Sequence, residues 1–215
     1  MMKKLLTLLL SLTMVIGFAQ SHVEAKKLLD QVKKTTQGYK NQKLTFTQTI
    51  EIPNPNGGFR SMKKEGVIFL DKDEYRIELE GMVILRTKNK MYTIVPEDKE
   101  VTVLPINEEN KDRVLSPSSL LKEFESGYSY KMAGSENVNG KKIQYILLKP
   151  TASEEIREIL IGIDTKTNQL VSFKQTGLNN VVTTFAVTNY QVDLDLPKST
   201  FNFKKKDYPG YTIIE

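Results

Sequence analysis

A chain of 215 residues with 31 basic and 26 acidic side chains carries a net charge of +5, holds a single histidine and contains no cysteine. The missing cysteines exclude a disulfide framework, a thiolate nucleophile or metal ligand, and a lipobox to acylate. The mild charge, without any arginine-rich run, argues against nucleic acid and leaves only weak attraction to anionic surfaces.

The chain opens Met1-Met2-Lys3-Lys4, runs apolar from Leu5 to Ile16 and closes on Gly17-Phe18-Ala19. A basic start, a short apolar run and small residues at its end form a secretory signal over residues 1–19, cleaved near Ala19. The run is too short for a transmembrane anchor. Cleavage removes Lys3 and Lys4, taking the net charge from +5 to +3, and leaves residues 20–215 as one domain.

Ser21-His22-Val23-Glu24 fits a capping box, and Ala25, Leu28, Leu29 and Val32 recur at helical spacing up to Gly38. From Lys43 the period becomes two: Leu44, Phe46, Gln48, Ile50 and Ile52 share one face and the intervening threonines the other. Pro53-Asn54-Pro55-Asn56-Gly57-Gly58 breaks the pattern. A second strand covers Phe59 to Leu70, with a bulge or bend expected at Gly66. After Asp71-Lys72-Asp73-Glu74, the strict alternation of Tyr75 to Glu80 places Tyr75, Ile77 and Leu79 on a covered face.

Short strands follow over Met82–Thr87, Met91–Val95 and Val101–Ile106. Ser116, with Pro117 next, starts a mid-chain helix carrying Leu120, Leu121 and Phe124. Strands resume at Tyr128–Met132, Lys142–Lys149, Arg157–Ile163, Leu170–Gln175 and Val181–Val192, and Asn139-Gly140 is the sharpest hairpin signal. So many strands cannot lie flat, so the expected fold is mainly β: one long, curved antiparallel sheet with two short helices in its hollow.

Catalytic chemistry finds little to work with. His22 lies too near the N-terminus to sit in a core triad or metal site. Ser61-Met62-Lys63-Lys64 and Ser119-Leu120-Leu121-Lys122 match S-x-x-K, but the first falls in a strand, where that spacing separates the two side chains, and neither has the companion motifs. Asp71-Lys72-Asp73-Glu74 lacks the glycine and distal glutamate of a calcium loop. Lys204-Lys205-Lys206 reads as a solvated tail, with a docking patch for a membrane or an acidic partner as the alternative. No metal and no cofactor is expected.

What remains is apolar surface. Phe46, Ile50, Val67, Phe69, Tyr75, Ile77, Leu79, Phe173 and Phe185 line a wall that fits either a packed core or a ligand cavity.

Phe46-Thr47-Gln48, Gly66 ahead of a charged turn, Tyr75-Arg76, Ser116-Pro117-Ser118-Ser119-Leu120-Leu121, Leu147-Leu148-Lys149-Pro150 and Phe201-Asn202-Phe203 follow in an order that resembles the LolA family of periplasmic lipoprotein carriers. The resemblance spans essentially residues 20–215. It implies an unclosed barrel of about eleven strands, lidded by helices, whose cavity takes the acyl chains of lipoproteins. Those residues would be the nine above together with Leu120, Leu121 and Phe124. The implied partners are acylated lipoproteins, an inner-membrane ABC-type releasing complex and an outer-membrane receptor, and the implied protein is a periplasmic monomer without enzymatic activity.

Two departures stand out. The family's arginine in the turn after the Gly66 strand, tied to lid closure, is replaced by Asp71-Lys72-Asp73, leaving Lys72 and Arg76 as candidates for lid control. The chain also has no tryptophan, where better-known relatives use several. Beside the lipoprotein carrier stand a shuttle for another lipid, a lipoprotein sensor, which would need a further domain after Glu215, and a hydrolase using Ser61 or Ser119.

Overall fold

The computed structural model describes residues 21–107, 124, 126–153 and 155–215. Residues 21–38 form helix α1. Two meanders follow: β1 (Gln42–Pro53), β2 (Phe59–Asp71), β3 (Glu74–Leu79), β4 (Met82–Arg86), β5 (Lys90–Val95) and β6 (Glu100–Pro105), then β7 (Tyr128–Val138), β8 (Lys141–Pro150), β9 (Ile156–Asp164), β10 (Gln169–Gly177) and β11 (Val182–Val192). A 3-10 turn at Lys205–Asp207 precedes β12 (Thr212–Ile214).

These twelve strands join one sheet in the order β12-β6-β5-β4-β3-β2-β1-β11-β10-β9-β8-β7. The meanders meet where β11 returns antiparallel beside β1, and the only parallel pair among the described residues is β12 with β6. The terminal strands β12 and β7 are not paired to each other, so the sheet is unclosed.

Local chemistry sets the turns. Asn139 and Gly140 take φ of 50° and 77° between paired Val138 and Lys141, the left-handed geometry that a two-residue hairpin needs. Gly81 likewise sits at φ 82° between Leu79 and Met82. At Lys72 the same role falls on a lysine, at φ 54°.

The amphipathic stripe of α1 lies on one half of the sheet. Ala25, Leu29 and Val32 pack with Phe124, Ile146, Leu148, Ile159, Ile161, Ile163 and Leu170. Each large side chain withdrawn from water here contributes about 1.5–3 kcal/mol. The other half holds a second cluster on the same face: Leu44, Leu70, Tyr75 and Ile77, flanked by Ile68, Ile84, Val187 and Tyr190. A third cluster, Ile94, Val101 and Val103, lies on the opposite face, where Phe203, Tyr208 and Tyr211 of the C-terminal segment cover it.

The strands expected from sequence fall within a few residues of their bounds; β12 is not among those expected, and three further details differ. The bulge expected at Gly66 is absent, because Gly66 stays in register with both Phe46 and Leu79; the irregularity lies instead between Thr45 and Phe46 on the β11 side. Strand β7 continues past Met132 to Val138 across a bulge before Ser135, which the glycine at 134 concealed from the sequence pattern. Ser21, read as an N-cap, is already helical, and its Oγ accepts the Met132 N–H at 3.0 Å, tying α1 to strand β7. The segment 1–19 expected as a signal, the expected start of a mid-chain helix at Ser116, and Leu120 and Leu121 lie outside the described residues. No helix among the described residues is long and apolar enough to cross a membrane.

Candidate functional site

Cross-strand register decides which side chains share the inner face, the side on which α1 lies. Directly paired residues point the same way, and each step along a strand reverses the direction. Three rows follow: Phe46–Gly66–Leu79–Met82, then Leu44–Ile68–Ile77–Ile84, then Gln42–Leu70–Tyr75–Arg86–Met91. On the other side of β1, Ile50, Gln48 and Phe46 face Thr183, Phe185 and Val187, and Phe185 faces Phe173.

The phenylalanines form a continuous row. Ring centroids lie 5.8 Å apart for Phe46–Phe185, 6.4 Å for Phe185–Phe173 and 6.1 Å for Phe173–Phe124, the last pair stacked at 11°. Offset and tilted contacts at these spacings are the favoured arrangements of aromatic rings. The row crosses the inner face from the α1 cluster to the Leu44–Tyr75 cluster. Phe173, Phe185, Ile50, Ile68, Leu79, Met82 and Ile84 are each half-buried, so the wall between the two clusters keeps accessible apolar area.

One end of this wall is polar. Arg86, 4% exposed, stands on the inner face opposite Tyr75. Tyr75 is 1% exposed, and its hydroxyl donates to Met91 Sδ at 3.6 Å. Burial raises the Tyr75 phenol above its ordinary pKa, and the Arg86 charge pulls partly the other way. The inner face thus runs from an aromatic and aliphatic middle to a phenol and a guanidinium.

Of the residues singled out from sequence, Phe46, Ile50, Tyr75, Ile77, Leu79, Phe124, Phe173 and Phe185 are gathered on this face. Val67 and Phe69 are not. They pair with Thr45 and Lys43 on one side and with Glu78 and Arg76 on the other, all on the outer face, and Lys43 Nζ lies 5.4 Å from the Phe69 ring centroid. The run Val67-Ile68-Phe69-Leu70 is apolar at every position, so composition gives no parity; the register assigns Ile68 and Leu70 inward. Arg76 also projects from the outer face, where its Nε meets Glu78 Oε1 at 2.6 Å. Lys72 is exposed in the β2–β3 turn.

Residues that the sequence reading missed are Ile68, Met82, Ile84, Val187 and Arg86. Met82-Val83-Ile84-Leu85 hides its parity for the same reason as β2, and only pairing with Ile77 and Leu79 resolves it. A separate groove of about 640 Å³ lies where the C-terminal segment passes the β2–β3 and β4–β5 turns, between Tyr92, Phe201 and Phe203 and a mixed rim of Asp71, Glu74, Lys88, Lys90 and Lys198. It contains none of the inner-face residues, and its mixed charges describe a solvated crevice.

No protein-family model matches the chain. No curated protein matches it in sequence. Solved structures do match it in shape. An uncharacterized conserved protein from Thermus thermophilus superposes with a TM-score of 0.59, covering 89% of this chain and 98% of that chain at 9% identity. That likeness is one of fold: the sheet seen here is the architecture of a second, distant sequence. A putative outer membrane lipoprotein-sorting protein domain from Vibrio parahaemolyticus aligns at TM-score 0.40 and 12% identity over 84% of this chain and 97% of that chain. A LolA superfamily protein from Nitrosomonas europaea aligns at 0.41 and 8% over 83% and 97%. At these scores the two alignments carry no argument about activity.

Proposed function

We propose that the protein is a carrier that shields acyl chains against the inner face of its unclosed sheet, with acylated lipoproteins as cargo, received from a releasing complex in the inner membrane and delivered to the outer membrane. The observation that carries the reading is the phenylalanine row, buried at Phe46 and Phe124 and half-buried at Phe173 and Phe185, flanked by the half-buried Ile50, Ile68, Leu79, Met82 and Ile84. The middle of the wall suits a flexible hydrocarbon: it is broad and mainly aromatic and aliphatic, with the Tyr75 phenol and the Arg86 guanidinium set at one end.

The energetics favour such a device. Each methylene withdrawn from water is worth about 0.8 kcal/mol, so a multiply acylated protein does not leave a membrane for water without cover. A carrier must also release. An open sheet with accessible edges exchanges its ligand more readily than a closed cavity, and half-buried side chains hold less tightly than a sealed core. The reading assigns no nucleophile or general base, so the role is transport and not catalysis.

The test is titration of the detergent-free protein with a fluorescent triacylated lipopeptide. Phe173→Ala and Phe185→Ala each remove a ring from the row, and the pair is expected to weaken binding by at least about tenfold, or 1.4 kcal/mol, while leaving the fold intact by circular dichroism. Unchanged binding in the double variant would overturn the assignment of the site. Preference for a free phospholipid over the lipopeptide would keep the wall and change the cargo.

A further inference from the structure

The hairpin of β1 and β2 extends past its neighbour. Pairing of β1 with β2 continues to Pro53 and Phe59, but β3 joins β2 only from Gly66, opposite Leu79. Residues 59–65 therefore lie beyond the end of β3, and all seven are exposed. The tip is a defined turn. Asn54 N–H donates to Gly58 O at 3.0 Å, Gly57 N–H to Asn54 O at 2.9 Å, and Asn56 N–H to Asn54 Oδ1 at 3.1 Å.

Two features of this projection differ from an ordinary solvated hairpin. Large apolar side chains stand in water on it, with Phe59 60%, Met62 39% and Ile52 37% exposed. Leu178, 49% exposed, belongs to the β10–β11 turn, which lies at the same end of the sheet because Val182 pairs with Glu51. Arg60, Lys63 and Lys64 stand on the distal part, Ile52 to Lys64, which holds no acid; Glu51 and Glu65 mark its base, where Lys64 Nζ also lies 3.5 Å from the Glu80 carbonyl, so the positive charge is concentrated toward the tip. Exposed apolar groups interleaved with cations match the interface of a bilayer, where the rings and chains enter the headgroup layer and the cations meet lipid phosphates. An apolar protein partner would explain Phe59 without calling for three cations; an acidic partner would explain the cations without the apolar tip.

We infer that the β1–β2 hairpin is a docking element for an anionic bilayer surface, with Phe59 and its apolar neighbours entering the interface and Arg60, Lys63 and Lys64 supplying the charge attraction. The inference deepens the carrier reading, since a carrier must meet the membranes that it serves, and it rests on that reading only for its purpose.

The experiment is flotation of the full chain with large unilamellar vesicles of phosphatidylcholine alone or with phosphatidylglycerol, at low and high salt. Each cation near an anionic surface is worth roughly fivefold in partitioning, so neutralising all three is expected to cost on the order of a hundredfold. Binding should be confined to the phosphatidylglycerol vesicles and weaken as salt rises. The variants are Arg60→Gln/Lys63→Gln/Lys64→Gln and, separately, Phe59→Ser, which being exposed should fold as the parent does. Flotation that ignores phosphatidylglycerol, that survives both variants, or that is absent at low salt overturns the inference. Lipopeptide affinity, measured without vesicles on the same samples, keeps the two readings apart: docking without lipopeptide binding refutes the carrier alone, and lipopeptide binding without docking refutes the hairpin alone.

Discussion

The ring of Phe46 fills the space that a side chain at position 66 would need. A Cβ built on Gly66 would lie 2.5 Å from Phe46 Cζ and 2.8 Å from the backbone oxygen of Glu78. Glycine is required here for close approach and not for an unusual backbone: Gly66 remains in the ladder on both sides. Its absence of a side chain lets Phe46 lie against β2 and start the aromatic row. Gly66→Ala is expected to cost about 1–3 kcal/mol in urea denaturation, the range for overpacking. Combined with Phe46→Leu, the cost should be less than the sum of the single variants by at least about 0.5 kcal/mol.

Asn41 holds the start of β1 to the exit of β11. Its side-chain amide donates to Leu194 O at 2.8 Å and accepts Leu194 N–H at 2.9 Å, a residue 153 positions away, and the Asp193 carboxylate accepts the Lys40 N–H at 2.7 Å. Asn41 is 2% exposed. Asn41→Ala would leave both backbone groups of Leu194 without these partners, and about 1–3 kcal/mol of stability should be lost by equilibrium denaturation.

The strand layout was legible because its signals are local: the alternation of Tyr75 to Glu80, the Asn139-Gly140 turn and the helical spacing of Ala25 to Val32. Facing was legible only where one side is polar. In Val67-Ile68-Phe69-Leu70 and Met82-Val83-Ile84-Leu85 both faces are covered, so the polar partner that would mark parity is missing, and register with β1 and β3 decides it. Gly66 reads as a bulge or bend because glycine in a strand has two common causes, a break in the ladder or a neighbour needing room, and only the three-dimensional neighbour distinguishes them. Strand β12 escaped notice because three residues carry no period.

The C-terminal segment should be a stable part of the outer face. Phe203 stacks on Tyr92 at 4.2 Å and 17° and on Tyr208 at 5.2 Å and 13°. Phe203→Leu retains much of the buried area and loses both stacking contacts, for an expected cost of about 1–3 kcal/mol at 0.5–1.5 kcal/mol per pair. Hydrogen exchange across residues 208–215 should quicken with it.

Alkaline pH should destabilise the fold through Tyr190. Burial first, then the neighbouring Tyr39, raises its phenol above the ordinary 10.0, with the Thr36 hydroxyl acting weakly in the other direction. The unfolded chain releases this proton near pH 10 and the folded one only at higher pH, so in that interval deprotonation favours the unfolded state alone. The contribution is fully present below about pH 10 and is lost as pH rises toward and through the folded-state value. Tyr190→Phe should flatten the decline in midpoint of denaturation between pH 10 and 12, with Tyr75, raised by burial, and Tyr145, pushed up to about 12 by burial and Glu136, leaving a residual slope.

The central claim is that an acyl chain lies on the inner face, and adjacent residues of one strand test it because they point to opposite sides. A photo-crosslinking amino acid placed at 68 or 84 faces inward, and at 67 or 83 outward. With a triacylated lipopeptide bound, crosslinks should form from 68 and 84 and be weak or missing from 67 and 83. Crosslinks of equal yield from both sides, or from 67 and 83 alone, would contradict the account.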